Sequence, residues 1–213
     1  MTVNKKTEAK EESAEQEICL ILKKTDAITF GTYKLSSGRI TPYYVDLRVI
    51  LSFPDAFKKI SDILVKTIEK ELGTKKFNRV SGIPATGTAF ASVIAFQLGK
   101  PFIFTRQKVR LHGRERKVEG ILMPGDQVLM IDDLVTTGLS LKRAASAIRA
   151  EGGVVTDAFV ILDREEGGEE RLKQTGVNLH SVVKITSAAK KLIEMNAIDE
   201  DQLKTVLKQA HRK

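Results

Sequence analysis

Asp132 and Asp133 stand together at the end of the apolar run "VLMI" (128–131), and Thr136, Thr137, Gly138 and Ser140 follow at once. A buried carboxylate costs several kcal/mol unless something pairs with it. A single aspartate suffices to cap a helix. Two of them, with three hydroxyls and a glycine, exceed that task. The turn leads into "LSLKRAASAIRA", which reads as a helix. The free N–H groups and positive dipole end of such a helix favour a phosphate. Carboxylates beside a phosphate must face something else, either vicinal ribose hydroxyls or a Mg²⁺ carried in by the ligand. The stretch therefore describes a ribose 5-phosphate pocket, with acids on the ring and the turn on the phosphate.

A second cluster is basic. "RQKVRLHGRERK" holds Arg106, Lys108, Arg110, Arg114, Arg116 and Lys117, and the chain carries a formal net charge of +8. Such a run is either a solvated face or a device for attracting polyanions. No helix-turn-helix or RNA-binding motif accompanies it, so no nucleic acid is expected.

These groups need elements to position them. "EQEICLILKKTDA" reads as a helix after a polar, frayed lead-in over residues 1–14. "ITFGTYKLSSGRITPYYVDLR" reads as two extended segments about Ser37 and Gly38. Pro54 opens a helix that runs to Gly73. Strand, turn and helix then recur. "NRVSGI", "PFIFTR", "VLMI", "VVTDAFVILD" and "HSVVKI" are the strands, and "DDLVTTG" reads as a turn. That alternation implies a mainly parallel sheet flanked by helices, with ligands beyond the strands' carboxyl ends. The expected organisation is one domain over 1–213, with a hood region at 15–50, a core at 54–186 and a helical tail at 187–213.

"VLMIDDLVTTGLS" closely resembles the phosphoribosyl-diphosphate (PRPP) binding motif of type I phosphoribosyltransferases. "FGTYKLSSGRITPYYVD", "RQKVRLHG" and "LDREEGG" resemble segments of the orotate branch of that family. The resemblance implies the type I phosphoribosyltransferase fold, an α/β sheet with a small N-terminal hood. It also implies transfer of the phosphoribosyl group to orotate in UMP synthesis, with Mg²⁺ carried by PRPP and no direct metal ligand from the chain. It places PRPP on Arg106, Arg110, His112, Asp132, Asp133, Leu134, Val135, Thr136, Thr137, Gly138, Leu139 and Ser140. "GIPATGTA" resembles the diphosphate loop, at Ala85, Thr86 and Gly87, although many members have lysine where Thr86 stands. The base falls to Thr136, Arg164, Lys34, Tyr43 and Tyr44, with Arg164 paired to the orotate carboxylate.

The resemblance assigns catalysis to Asp132 and Asp133, and to Arg110 and His112 on a loop at 106–117 that acts on the neighbouring subunit of a homodimer. Two departures bear on that loop. Arg110 stands where the family's catalytic lysine is usual, and Gln107 where a second lysine is common. A third departure is Ser36 in place of a lysine, which Lys34 would replace. A purine-base phosphoribosyltransferase and a non-catalytic PRPP-sensing regulator are the alternatives. The one cysteine, Cys19, suits a cytoplasmic setting, and no apolar run approaches a membrane span.

Overall fold

The computed structural model describes residues 4–34, 40–106 and 117–210. Helix α1 (Asn4–Lys24) precedes a hairpin of β1 (Ile28–Lys34) and β2 (Ile40–Val45), and a 3-10 turn spans Leu47–Ser52. Then follow α2 (Pro54–Glu71), β3 (Arg79–Gly82), α3 (Thr86–Gln97), β4 (Phe102–Thr105) and β5 (Val118–Glu119). Next come β6 (Gln127–Val135), α4 (Leu139–Ala150), β7 (Val154–Asp163), α5 (Gly168–Lys173) and β8 (Asn178–Lys184). Helices α6 (Ile185–Glu194) and α7 (Glu200–Ala210) close the order.

The main sheet has six strands in the order β5-β4-β3-β6-β7-β8, parallel except where β5 returns against β4. Alternate side chains of β6 enter different cores. Leu129 and Ile131 pack with α2, α3 and the hood, while Val128 and Met130 pack with α4. A strand buried on both faces must be apolar throughout, which is why "VLMI" shows no polar alternation.

Several boundaries differ from the sequence reading. Helix α1 begins at Asn4, inside the expected lead-in. β6 does not stop at Ile131: it runs through both aspartates to Val135, because Asp132, Leu134 and Val135 pair with Val160, Leu162 and Asp163 of β7. The helical tail packs back on α1 and β2, and Leu192, Ile198 and Val206 join the core that also holds Ile18 and Tyr43. The C-terminal helices therefore support the hood.

Candidate active site

Asp132 and Asp133 lie at the carboxyl end of the central strand β6. Asp132 is 7% exposed, and burial first, then the neighbouring Asp133 charge, push its carboxyl well above the usual carboxylate range. Its Oδ1 accepts the Asp133 N–H at 2.9 Å. Among the described residues no lysine or arginine forms an ion pair with either acid. A buried acid left with so little compensation is suited to a ligand that brings hydroxyls or a cation.

The turn after β6 is held from behind. Gly138 sits at φ 73 and caps α4 with no side-chain hydrogen bond, leaving the first α4 N–H groups open. A Cβ on Gly138 would lie 3.0 Å from the Gly168 carbonyl oxygen, so this glycine allows both the left-handed turn and the close approach of α5. Arg171 on α5 donates from Nη1 to the Thr137 carbonyl at 2.6 Å. Residues 134–141, with Asp132, line one small pocket.

The segment 85–87 arrives beside the same acids. Ile83 N–H bonds to the Ile131 carbonyl at 3.1 Å, and the peptide between Pro84 and Ala85 is cis. A Cβ on Gly87 would stand 2.5 Å from Asp132 Oδ1 and 2.8 Å from Asp132 Cα. Only glycine fits there, so the start of α3 lies directly against Asp132. Beside it opens a cleft of about 650 Å³, lined in part by Pro84, Arg106, Lys117, Ser140, Lys142 and Arg143.

Arg106 N–H bonds to the Lys117 carbonyl at 2.8 Å, and the Arg106 guanidinium pairs with Glu119. Glu151 accepts the N–H groups of Lys117 and Val118, each at 3.1 Å. These bonds hold the two ends of the basic segment at the cleft. Arg110, His112 and Gln107 lie outside the described residues, as do Ser36 and the side chain of Lys34.

Arg164 sits next to this centre because its N–H bonds to the Val135 carbonyl at 2.9 Å, continuing the β6–β7 register. An ion pair with Glu166 exists at 2.8 Å, and it is buried, with both side chains 3% exposed. Glu165 is separately engaged: its carboxylate accepts the Thr186 N–H at 2.9 Å. Tyr43 and Tyr44 are neighbours on β2 and so face opposite ways. Tyr43 is fully buried with its ring 4.7 Å from the Arg164 guanidinium carbon. Tyr44 pairs with Tyr33 at 5.5 Å and accepts a bond from Arg48 at 3.2 Å. Thr41, Gly168 and Arg171 were not singled out from the sequence. Only the alternation Thr41–Tyr43 on one strand face signals one of them.

The comparisons agree with this geometry. A family model described as "Phosphoribosyl transferase domain" matches residues 48–188. An orotate phosphoribosyltransferase of Staphylothermus marinus is 43% identical, over 89% of this chain and 91% of that protein. The chain belongs to the orotate phosphoribosyltransferase family. Among solved structures, an orotate phosphoribosyltransferase from Aeropyrum pernix superimposes with a TM-score of 0.72 at 31% identity, covering 82% of this chain and 98% of that one. A UMP synthase of Leishmania donovani gives a TM-score of 0.84 at 27% identity, covering 94% of this chain and 43% of that one. The type I phosphoribosyltransferase fold expected from the motif is the fold observed.

Proposed function

We propose that the protein transfers the 5-phosphoribosyl group of PRPP to orotate, forming orotidine 5′-monophosphate and diphosphate. The observation that carries this reading is the convergence at one sheet edge of a buried acid without a basic partner among the described residues, a helix start without a side-chain cap and a buried arginine. The 5-phosphate takes the Thr136–Ser140 turn, and Asp132 and Asp133 take the ribose hydroxyls. The diphosphate lies along Ala85, Thr86 and Gly87. PRPP would carry Mg²⁺, which would neutralise part of the diphosphate charge beside Ala85, Thr86 and Gly87. Orotate sits under the hood, its carboxylate on Arg164 and its ring near Thr136, with Tyr43 behind the arginine.

As the bond from C1 to the diphosphate oxygen lengthens, the sugar gains oxocarbenium character and the leaving group gains negative charge. Cations held over the leaving group stabilise that charge best with water excluded. Arg106, Arg110 and His112 take this role in our reading, which their match to the family loop supports. Arg110 supplies charge but does not readily yield a proton, which leaves His112 as the titratable group of the pair.

A homodimer in which this loop serves the neighbouring subunit fits the surface. Phe96, Ile121 and Met123 are 88%, 71% and 55% exposed, at the end of α3 and just past β5. A cytoplasmic setting fits the buried free thiol of Cys19, which burial pushes up to about 12.

Turnover with PRPP, Mg²⁺ and a panel of orotate, uracil, adenine and hypoxanthine tests the reading. Orotate alone should be consumed at a substantial rate; faster consumption of a purine would overturn the assignment. The dimer is tested by mixing Arg110→Ala/His112→Ala protein with Asp132→Asn/Asp133→Asn protein. Each is expected to be nearly inactive alone, and subunit exchange should restore activity. Proven heterodimers without recovery would mean that the loop does not act across the interface.

A further inference from the structure

Arg164 is already engaged before any substrate arrives. Its Nη2 lies 2.8 Å from Glu166 Oε1 and donates to Thr41 Oγ1 at 3.4 Å. Thr41, itself fully buried, donates its hydroxyl to the Tyr43 carbonyl at 2.9 Å. The guanidinium carbon stands 4.7 Å from the centroid of the Tyr43 ring. Its Nε is buried and meets no acceptor among the described residues.

A buried ion pair is a weak source of stability, since desolvating two charges offsets most of their attraction. What such a pair can supply is orientation. A guanidinium carries five N–H groups in one rigid plane. A carboxylate ion-paired to Nη2, a hydroxyl that accepts from it and a ring beneath the plane therefore fix where the remaining N–H groups point. One of them, on Nε, is a buried donor without a partner among the described residues, and a group in that state carries an unmet desolvation cost until an acceptor reaches it.

The backbone is shaped to deliver this pairing. Glu165 adopts φ 55, a left-handed conformation that a non-glycine residue holds only when its surroundings enforce it. Two bonds enforce it here: Glu165 N–H to Asp163 Oδ1 at 2.8 Å, and Thr186 N–H to Glu165 Oε2 at 2.9 Å.

We propose that Glu166 is a positioning residue for the base: it locks Nη2 of Arg164 against Thr41 and leaves the Nε edge as the donor that an anionic base satisfies. This rests on the reading of Arg164 as the orotate contact. In this arrangement Glu166 balances the charge of Arg164, so the buried arginine does not become a general trap for phosphate or diphosphate. Bases that lack a carboxylate leave the Nε donor unmet, which turns the lock into a specificity device.

A double-mutant cycle on the full chain tests it, with orotate KM, PRPP KM and kcat measured for Glu166→Ala, Arg164→Ala and the pair. Glu166→Ala should raise the orotate KM about tenfold, the scale of one charge-assisted hydrogen bond. The PRPP KM should stay within about twofold, because the phosphate and ribose contacts are on other residues. In the Arg164→Ala background the same change should add nothing to the orotate KM, since the proposal has Glu166 reach the base through the guanidinium. Glu166→Gln keeps an acceptor for Nη2 and should recover part of the loss.

An unchanged orotate KM in Glu166→Ala overturns the proposal. So does an equal rise for both substrates, or an effect that persists without Arg164. If Glu166→Ala does not fold, the cycle is run with Glu166→Gln, where an orotate-selective rise of about threefold that vanishes without Arg164 is required. The underlying reading fails separately, if Arg164→Ala raises the orotate KM no more than the PRPP KM.

Discussion

Two buried aspartates, six residues apart on the same strand region, have opposite surroundings. Asp126 stands at the amino end of β6 and Asp132 at its carboxyl end, and they are both 7% exposed. Asp126 is surrounded by donors: the Arg79 guanidinium, Asn78 Nδ2 at 2.9 Å and the Met123 N–H at 2.7 Å. Burial works to raise its pKa, but those donors outweigh it and hold the carboxyl below the usual range. Asp132 meets burial with one backbone N–H and a second carboxylate beside it, and is pushed up. The amino end of the sheet therefore satisfies its charge within the fold. The carboxyl end leaves its acids without a basic partner among the described residues. Burial alone does not distinguish a structural acid from a functional one; the partners do.

The sharpest way to break that comparison is to neutralise each acid in turn. Asp132→Asn should lower PRPP-dependent turnover by about one to two decades, the loss of a charge-assisted hydrogen bond of roughly 1.5–3 kcal/mol. Its thermal midpoint should stay level or rise, because the folded state already disfavours the charged form. A variant that turns over normally, or unfolds, would place Asp132 with the structural acids.

Asp126→Asn should do the reverse. Removing the carboxylate leaves the mostly buried Arg79 without its ion-pair partner, at a cost of about 3 kcal/mol. For a chain of this size the midpoint should fall by roughly 6–12 °C. Turnover measured well below that midpoint should stay within about twofold of the parent, since Asp126 lies at the far end of the sheet. Turnover lost at full occupancy of the folded state would show that the two ends are coupled.

A smaller effect comes from His180 on β8, which extends the comparison to a cation. Its ring stacks on Phe159 at 4.2 Å, with Nδ1 3.0 Å from Glu71 and Nε2 2.9 Å from Asp157. Asn178 of β8 also bonds to Asp157, at 3.3 Å. The Glu71 bond first, and then the Asp157 bond, raise the His180 pKa against the opposing effect of burial. The folded state thus holds its proton more tightly than the unfolded chain. The stability this contributes is fully present below about pH 6.5, the unfolded value, and is lost as pH rises through the raised folded value. Denaturant unfolding across that window should show parent stability falling with pH relative to His180→Asn. Parallel curves for the two proteins would mean that the cluster binds no extra proton.

How much of this was legible beforehand depends on how far apart the cooperating residues lie. The PRPP stretch is contiguous, so residue chemistry and resemblance both reached it, and the alternation of strands and helices announced the parallel sheet. Even there one boundary was misplaced: acidic residues read as a turn, yet β6 continues through them because Leu134 and Val135 pair with β7. The short α5 and β5 carried no periodic signal, as elements of that length draw their stability from packing.

The amino-acid sequence by itself determined the sheet class, the two acids, the Thr136–Ser140 turn and the positions of the basic segment and Arg164, because each is a local pattern of residue types. Only the tertiary structure decided which partners these residues have. It brought Gly87 against Asp132, Arg171 to the Thr137 carbonyl, and Thr41 to Arg164 across 123 residues of chain. It also decided that Asp126 is satisfied and Asp132 is not. The physical reason is that the cost of a charge is set by the donors and dielectric around it. Those are supplied by residues distant in the chain, which a linear pattern does not place.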